Sequence, residues 1–193
     1  EDGLNGGNTA ANTGDVAGAS TTETSSIAGL FNVGADQPAA YSFAVSPTAT
    51  SAQIAALIGV SGQAGSSLSS DGVALSYAIS TTATGYLLTA SAGSTEVFTL
   101  SLNSTTGAYT FTLKEELDHL NENNNAENDI TLTLDGLVKA IDDDGDSLTA
   151  APGSFTVVVN DDAVVRTDSS TSVTVDEDGL NGGNTAANTG DVA

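Results

Sequence analysis

The chain has 193 residues, 25 of them acidic and 3 basic, for a formal net charge of −22, and it contains no Cys, Met or Trp. Disulfides and thiolate metal sites are excluded, and Lys114, Lys139 and Arg166 are too few to neutralise a run of nucleic-acid phosphates or to hold an anionic membrane. Hydrophobic content of 39% is too high for a disordered acidic tail and suits one domain, or two small ones, with a real core.

Residues 1–17 read EDGLNGGNTAANTGDVA, and residues 177–193 repeat the same string. The offset of 176 residues is a whole-domain period, far beyond the 20–50 residues of solenoid repeats. Tandem duplication of a long unit is the reading. With Glu1 first and no Met anywhere, the chain reads as a fragment of a larger protein, so missing targeting signals carry no weight. The longest apolar run, residues 54–60, is short of the ~20 residues a membrane helix needs.

In chain order, Ile27, Leu30 and Phe31, then Tyr41, Phe43 and Val45, predict early strands. Residues 52–60 have apolar spacing that allows a short helix. Val73, Leu75, Tyr77 and Ile79, then Tyr86 and Leu88, predict a hairpin across the turn at residues 82–85. Phe98, Leu100 and Leu102 alternate with Val97, Thr99 and Ser101, and Tyr109, Phe111 and Leu113 follow beyond a turn at residues 103–107. Ile130, Leu132 and Leu134 form the next strand, and Phe155, Val157 and Val159 the last. Thr on the alternate positions suits a pleated, solvent-facing surface. The expected fold class is all-β, an antiparallel immunoglobulin-like sandwich of Greek-key order with one elongated domain per 176-residue repeat. Residues 1–162 would form that sandwich, and residues 163–176 the linker and first strand of the next repeat, beginning at Val173 and Val175. Residues 177–193 would open the next copy. The counterpart of that strand ahead of Glu1 lies outside the chain, so either the strand is dispensable or an edge is left for another chain to fill.

Charge is unevenly placed. Between residues 18 and 112 the only acids are Glu23, Asp36, Asp71 and Glu96, whereas seventeen fall between Glu115 and Asp178. Three clusters stand out: Asp142, Asp144 and Asp146 in the run DDDGD; Asp161 and Asp162; and Asp176, Glu177 and Asp178, whose earlier counterparts include Glu1 and Asp2. Crowded carboxylates repel one another, and a divalent cation removes that strain. Oxygen ligands without Cys or His select Ca²⁺ or Mg²⁺. The spacing is not that of an EF-hand loop, and GGNTAANTG is not the calcium-binding nonapeptide. If Phe155 opens the final strand, residues 142–146 should face Glu1 and Asp2, together with the Asp161 and Asp162 of the preceding repeat. Ca²⁺ would then bridge two copies.

Catalysis is not expected. His119 is the sole imidazole, no nucleophile-elbow motif is present, and His119 reads as a surface or loop-ordering residue. The aromatic residues sit in strand patterns and read as core.

The ordered set VDEDGLNGGN, TEVFTLSL, GAYTFTL, LDHLNENNNAENDITL, the DDDGD loop and FTVVVNDDAVV resembles the tandem extender repeats of RTX-type bacterial adhesins. The likeness covers most of the period and is strongest over residues 96–165. Ala163 and Val164 stand where that family usually has Pro after the acidic pair. The resemblance implies a protein of the bacterial cell surface, exported by type I secretion and used in attachment and biofilm formation. It implies calcium-stabilised β-sandwiches holding a ligand-binding tip away from the cell, with neighbouring repeats of the same chain as partners. A glycan-binding or self-associating module of the same surface protein is the alternative.

Overall fold

The structure is a computed structural model and describes residues 1–8, 18, 20–121, 126–166, 168–175 and 180–183. Asp176, Glu177 and Asp178 lie outside the described residues. Among the described residues twelve strands are formed: β1 (Thr22–Ser26), β2 (Ala40–Phe43), β3 (Gly59–Ser61), β4 (Ser69–Ser70), β5 (Val73–Thr81), β6 (Gly85–Ala92), β7 (Thr95–Asn103), β8 (Ala108–Leu113), β9 (Asp129–Thr133), β10 (Val138–Ile141), β11 (Ser147–Thr149) and β12 (Thr156–Asn160). One short helix, α1 (Ser51–Ala55), precedes β3. Every pairing is antiparallel, so the chain is all-β.

A curled six-stranded sheet runs β1-β8-β7-β6-β5-β4. Two three-stranded sheets, β11-β10-β2 and β12-β9-β3, complete the body. Register explains the alternation in the sequence. Leu88 pairs with Leu100, and Leu100 with Phe111, giving an apolar row across three strands. Thr89, Thr99, Thr112 and Thr22 form the neighbouring row, and Thr24 and Thr110 join their hydroxyls at 3.0 Å. Side chains alternate faces with period two, so one register places Leu88, Leu100 and Phe111 inward and this row of Thr outward. From the three-stranded sheets, Ile130, Leu132 and Val138 enter the same core. Phe155 meets Tyr109 with ring centroids 4.7 Å apart. All nine aromatic residues are buried or half-buried. Tyr77 is buried deeply enough that its phenol is pushed up to about 12, because burial disfavours the charged form.

Three expectations need correction. Residues 28–30 form a 3-10 turn, not a strand. Small Ala28 and Gly29 allow it, and the Ser26 hydroxyl takes the Ala28 N–H at 3.1 Å. Val97 is fully buried with Phe98 rather than facing out, because the β6–β7 register shifts beside Ala90 and Ser91. Such a bulge turns two successive residues toward one side. Val173 and Val175 are 88% and 86% exposed and belong to no strand.

Sequence periodicity had little to offer on residues 46–71. Here Thr50 caps α1 in a capping box with Gln53. Ile54 from α1 is fully buried, β3 joins β9, and Gly62 passes so close to β9 that a Cβ would lie 2.0 Å from the Asp129 carbonyl oxygen. This segment then holds the loop after β8: Ala64 N–H donates to Asp118 O, and Leu120 N–H to Gly62 O.

Candidate metal centre

The end of β12 and the start of the chain meet. Asn160 pairs with Asp129 across β12 and β9, and the Asp161 N–H continues that ladder to Asn128 O at 2.9 Å. The Glu1 nitrogen donates to Asn160 O at 2.7 Å. From there the opening EDGLNGGN folds into two successive turns, Leu4 N–H to Glu1 O and Gly7 N–H to Leu4 O. Gly7 is needed for the second turn, since a Cβ there would lie 2.4 Å from the Asp2 carbonyl oxygen. Asn8 closes the arc by donating its backbone N–H to Asp162 Oδ2 at 2.9 Å.

This arc lays the Glu1 carboxylate against the loop after β8. Its Oε1 accepts the Leu117 N–H at 2.7 Å and lies 3.2 Å from His119 Nε2. The Glu1 and His119 side chains are only 4% and 3% exposed. Glu1, His119 and Asp161 each bring one ligand atom within 4.8 Å of the others. Asp2 Oδ1, Asp162 Oδ1 and His119 Nδ1 are buried beside them in sequence and have no hydrogen-bond partner. Glu127, next to Asn128, is a further buried carboxylate at 4% exposure.

The second cluster is the β10–β11 hairpin tip. Asp142 Oδ1 accepts the Asp146 N–H at 2.8 Å and the Gly145 N–H at 3.1 Å. Gly145 has φ of 99°, a conformation that L side chains rarely adopt. Asp142, Asp144 and Asp146 each bring one carboxylate oxygen within 4.8 Å of the others, with Asp144 and Asp146 exposed. The Asp144 carboxyl is pushed above the usual carboxylate range, first by a hydrogen bond with the Asp142 side chain and then by the charges of Asp142 and Asp146.

Residues 7–153 match a family described as Domain of unknown function (DUF5801). The chain belongs to that family. No curated protein and no solved structure matches it. The span shared with DUF5801 contains His119 and the hairpin tip but leaves out Glu1, Asp2, Asp161 and Asp162.

Within this DUF5801 chain the two clusters lie at opposite ends of the strands. β8 runs from one to the other. Its first residue, Ala108, pairs with Ser26, beside residues 28–33; Leu30 and Phe31 there line a hollow with Asp142 and Asp146. Its last residue, Leu113, leads into Leu117 and His119. The expectation that residues 142–146 face Glu1 and Asp2 is therefore corrected. Glu1 meets Asp161 of the same chain instead. The error lay in the connection: β9 carries the chain away from the pole and the turn at Asp135–Leu137 delivers it to β10, whose hairpin tip lies at the far end.

The residues at the pole fit a divalent cation. A buried carboxylate oxygen without a partner costs on the order of 1–3 kcal/mol or more. Asp2 and Asp162 each present one. Lys114, which follows β8 toward this end, is held by Glu96 on the neighbouring strand. His119 was missed as a site residue by sequence reasoning, since an isolated Asp-His pair carries no ligand spacing. A carboxylate oxygen can only accept, so in its bond to Glu1 the His119 Nε2 carries the proton. That role orients Glu1 from outside the coordination shell. It leaves the clustered carboxylates of Glu1 and Asp161, oxygen ligands that suit Ca²⁺ or Mg²⁺.

Proposed function

We propose that this chain is a calcium-stabilised structural extender repeat of a bacterial surface adhesin, a spacer without catalysis. One observation carries the reading: carboxylates from the two ends of the repeat, Glu1 and Asp161, are drawn into one buried cluster across 160 residues of chain. Ca²⁺ bound there would lock the start of a repeat to its end. The exact recurrence of residues 1–17 at 177–193 supports a spacer, because identical copies in series set length rather than specificity. Burial of the aromatic residues speaks against a stacking platform for a glycan.

The finer architecture belongs to the same proposal. We read the stacked sheets as an immunoglobulin-like Greek-key sandwich, one elongated domain per repeat, on the outer surface of a bacterium after type I secretion. Neighbouring repeats of the chain are the partners. For a site with Kd of ~0.1 mM in ~1 mM calcium, the stabilisation is roughly 1.4 kcal/mol, a useful part of the 5–15 kcal/mol typical of a domain.

Small-angle scattering on a chain carrying two complete repeats tests the extender role. A rod about twice the length of one repeat in calcium, collapsing to a broad distribution in chelator, is expected. A particle whose length ignores calcium, or a compact pair in its presence, would contradict it.

A further inference from the structure

β12 and β1 are both edge strands, and the body is open between them. The opening is a groove of about 260 Å³. Among the described residues it is lined by Phe111 and Leu113 on one side and Val157 and Val159 on the other, with Glu1 and Asn160 at one end. Among the described residues, 156–159 of β12 pair with β9 alone, so the outer rim of that stretch faces the groove. An edge of this kind accepts another strand.

We propose that the groove receives residues 171–175 of a second copy, the repeat that precedes this one in a tandem array. Three observations identify the occupant. First, residues 177–193 are identical to 1–17, so in an array the residues that lead into Glu1 are TSVTVD, the sequence of residues 171–176. Second, the Glu1 nitrogen already bonds to Asn160 O, which is the last rung of a strand lying beside β12. Continued backwards from that rung, the preceding residues run past Val159 toward Thr156, parallel to β12. Third, residues 171–175 alternate Thr171, Val173 and Val175 with Ser172 and Thr174. That pattern buries one face of a strand, yet here both valines are exposed and unpaired.

The added strand also changes where the chain enters the domain. Glu1 and Asp162 lie at the same end of the body, so the chain as folded begins and leaves on one side. Five residues in extended conformation span about 16 Å. With the groove filled, the chain enters near Thr156 and leaves at Asp162, and successive copies can follow one another in line. Residues 163–170 would connect them, reaching at most about 28 Å.

The test lengthens the full 193-residue chain at its N-terminus by a copy of residues 171–176. Thermal melting and amide hydrogen exchange are compared with the unextended chain, each in calcium and in chelator. The expected result is a midpoint raised by roughly 5–10 °C and exchange at residues 157–160 slowed about tenfold or more. Replacing both appended valines with aspartate should remove both effects. An unchanged midpoint overturns the proposal, as does protection that falls on β4 or β11 instead of β12. Each comparison is made within one buffer, so a chain indifferent to chelator would count against the calcium reading without touching this one.

Discussion

The pole and the hairpin tip hold the same chemistry in different surroundings. At the hairpin tip, Asp142 is turned inward on its own loop, where its Oδ1 takes two backbone N–H groups. Asp144 and Asp146 stay in water, which screens their repulsion. At the pole, Glu1 is buried, and single oxygens of Asp2 and Asp162 are cut off from water and from any donor. The first arrangement is a turn that tolerates its charges. The second leaves buried oxygens without a donor. Proximity in sequence marks the hairpin cluster, whereas the pole cluster is assembled from opposite ends of the repeat.

Four variants sharpen or break that contrast. The largest effect is expected from Glu1→Gln combined with Asp161→Asn. In calcium this variant should lose about 3 kcal/mol by denaturant unfolding, and in chelator its deficit should shrink by roughly 1.4 kcal/mol, the share that calcium supplies. Next comes Gly7→Ala, which forces a Cβ against the Asp2 carbonyl oxygen. It should cost about 2 kcal/mol and lower calcium affinity at the pole, seen as a rightward shift in a calorimetric titration. His119→Gln should cost about 1 kcal/mol while leaving calcium binding within a few-fold of the parent. Loss of binding altogether would make His119 a direct ligand.

The smallest effect belongs to Asp144→Asn. The Asp144 carboxyl is raised in the folded chain, so the fold holds that proton more tightly than the unfolded chain does. Its contribution to stability is present below the unfolded value and is lost as pH rises through the raised folded value. At neutral pH without calcium, removing this charge should leave the midpoint unchanged or slightly higher. A clear drop in calcium that disappears in chelator, measured across an acid-to-neutral series, would place the stronger site at the hairpin tip.

Much of the fold was legible because its long strands obey a two-residue period. The β5–β6 and β7–β8 hairpins follow directly from Tyr77, Leu88, Leu100 and Phe111. β1 was illegible: Thr22–Ser26 has no apolar residue, and it forms only because β8 offers it an edge. β10 and β11 are too short to show a period. The bulge at Val97 is set by pairing across β6, which local sequence does not encode. At the site, the acidic residues could be picked out from their clustering, but their partners could not. Glu1 and Asp161 are joined by β12, β9 and the loop after β8, and His119 is placed by a bridge to Gln63 in a segment without periodicity.

Thermal unfolding of the full chain in about 1 mM calcium and in excess chelator tests the central claim most directly, with Asp161→Asn and Asp144→Asn run beside it. Chelation should lower the parent midpoint by at least about 3–6 °C. Asp161→Asn should abolish most of that difference, and Asp144→Asn should preserve it. A parent midpoint that does not move on chelation would contradict a calcium-locked repeat.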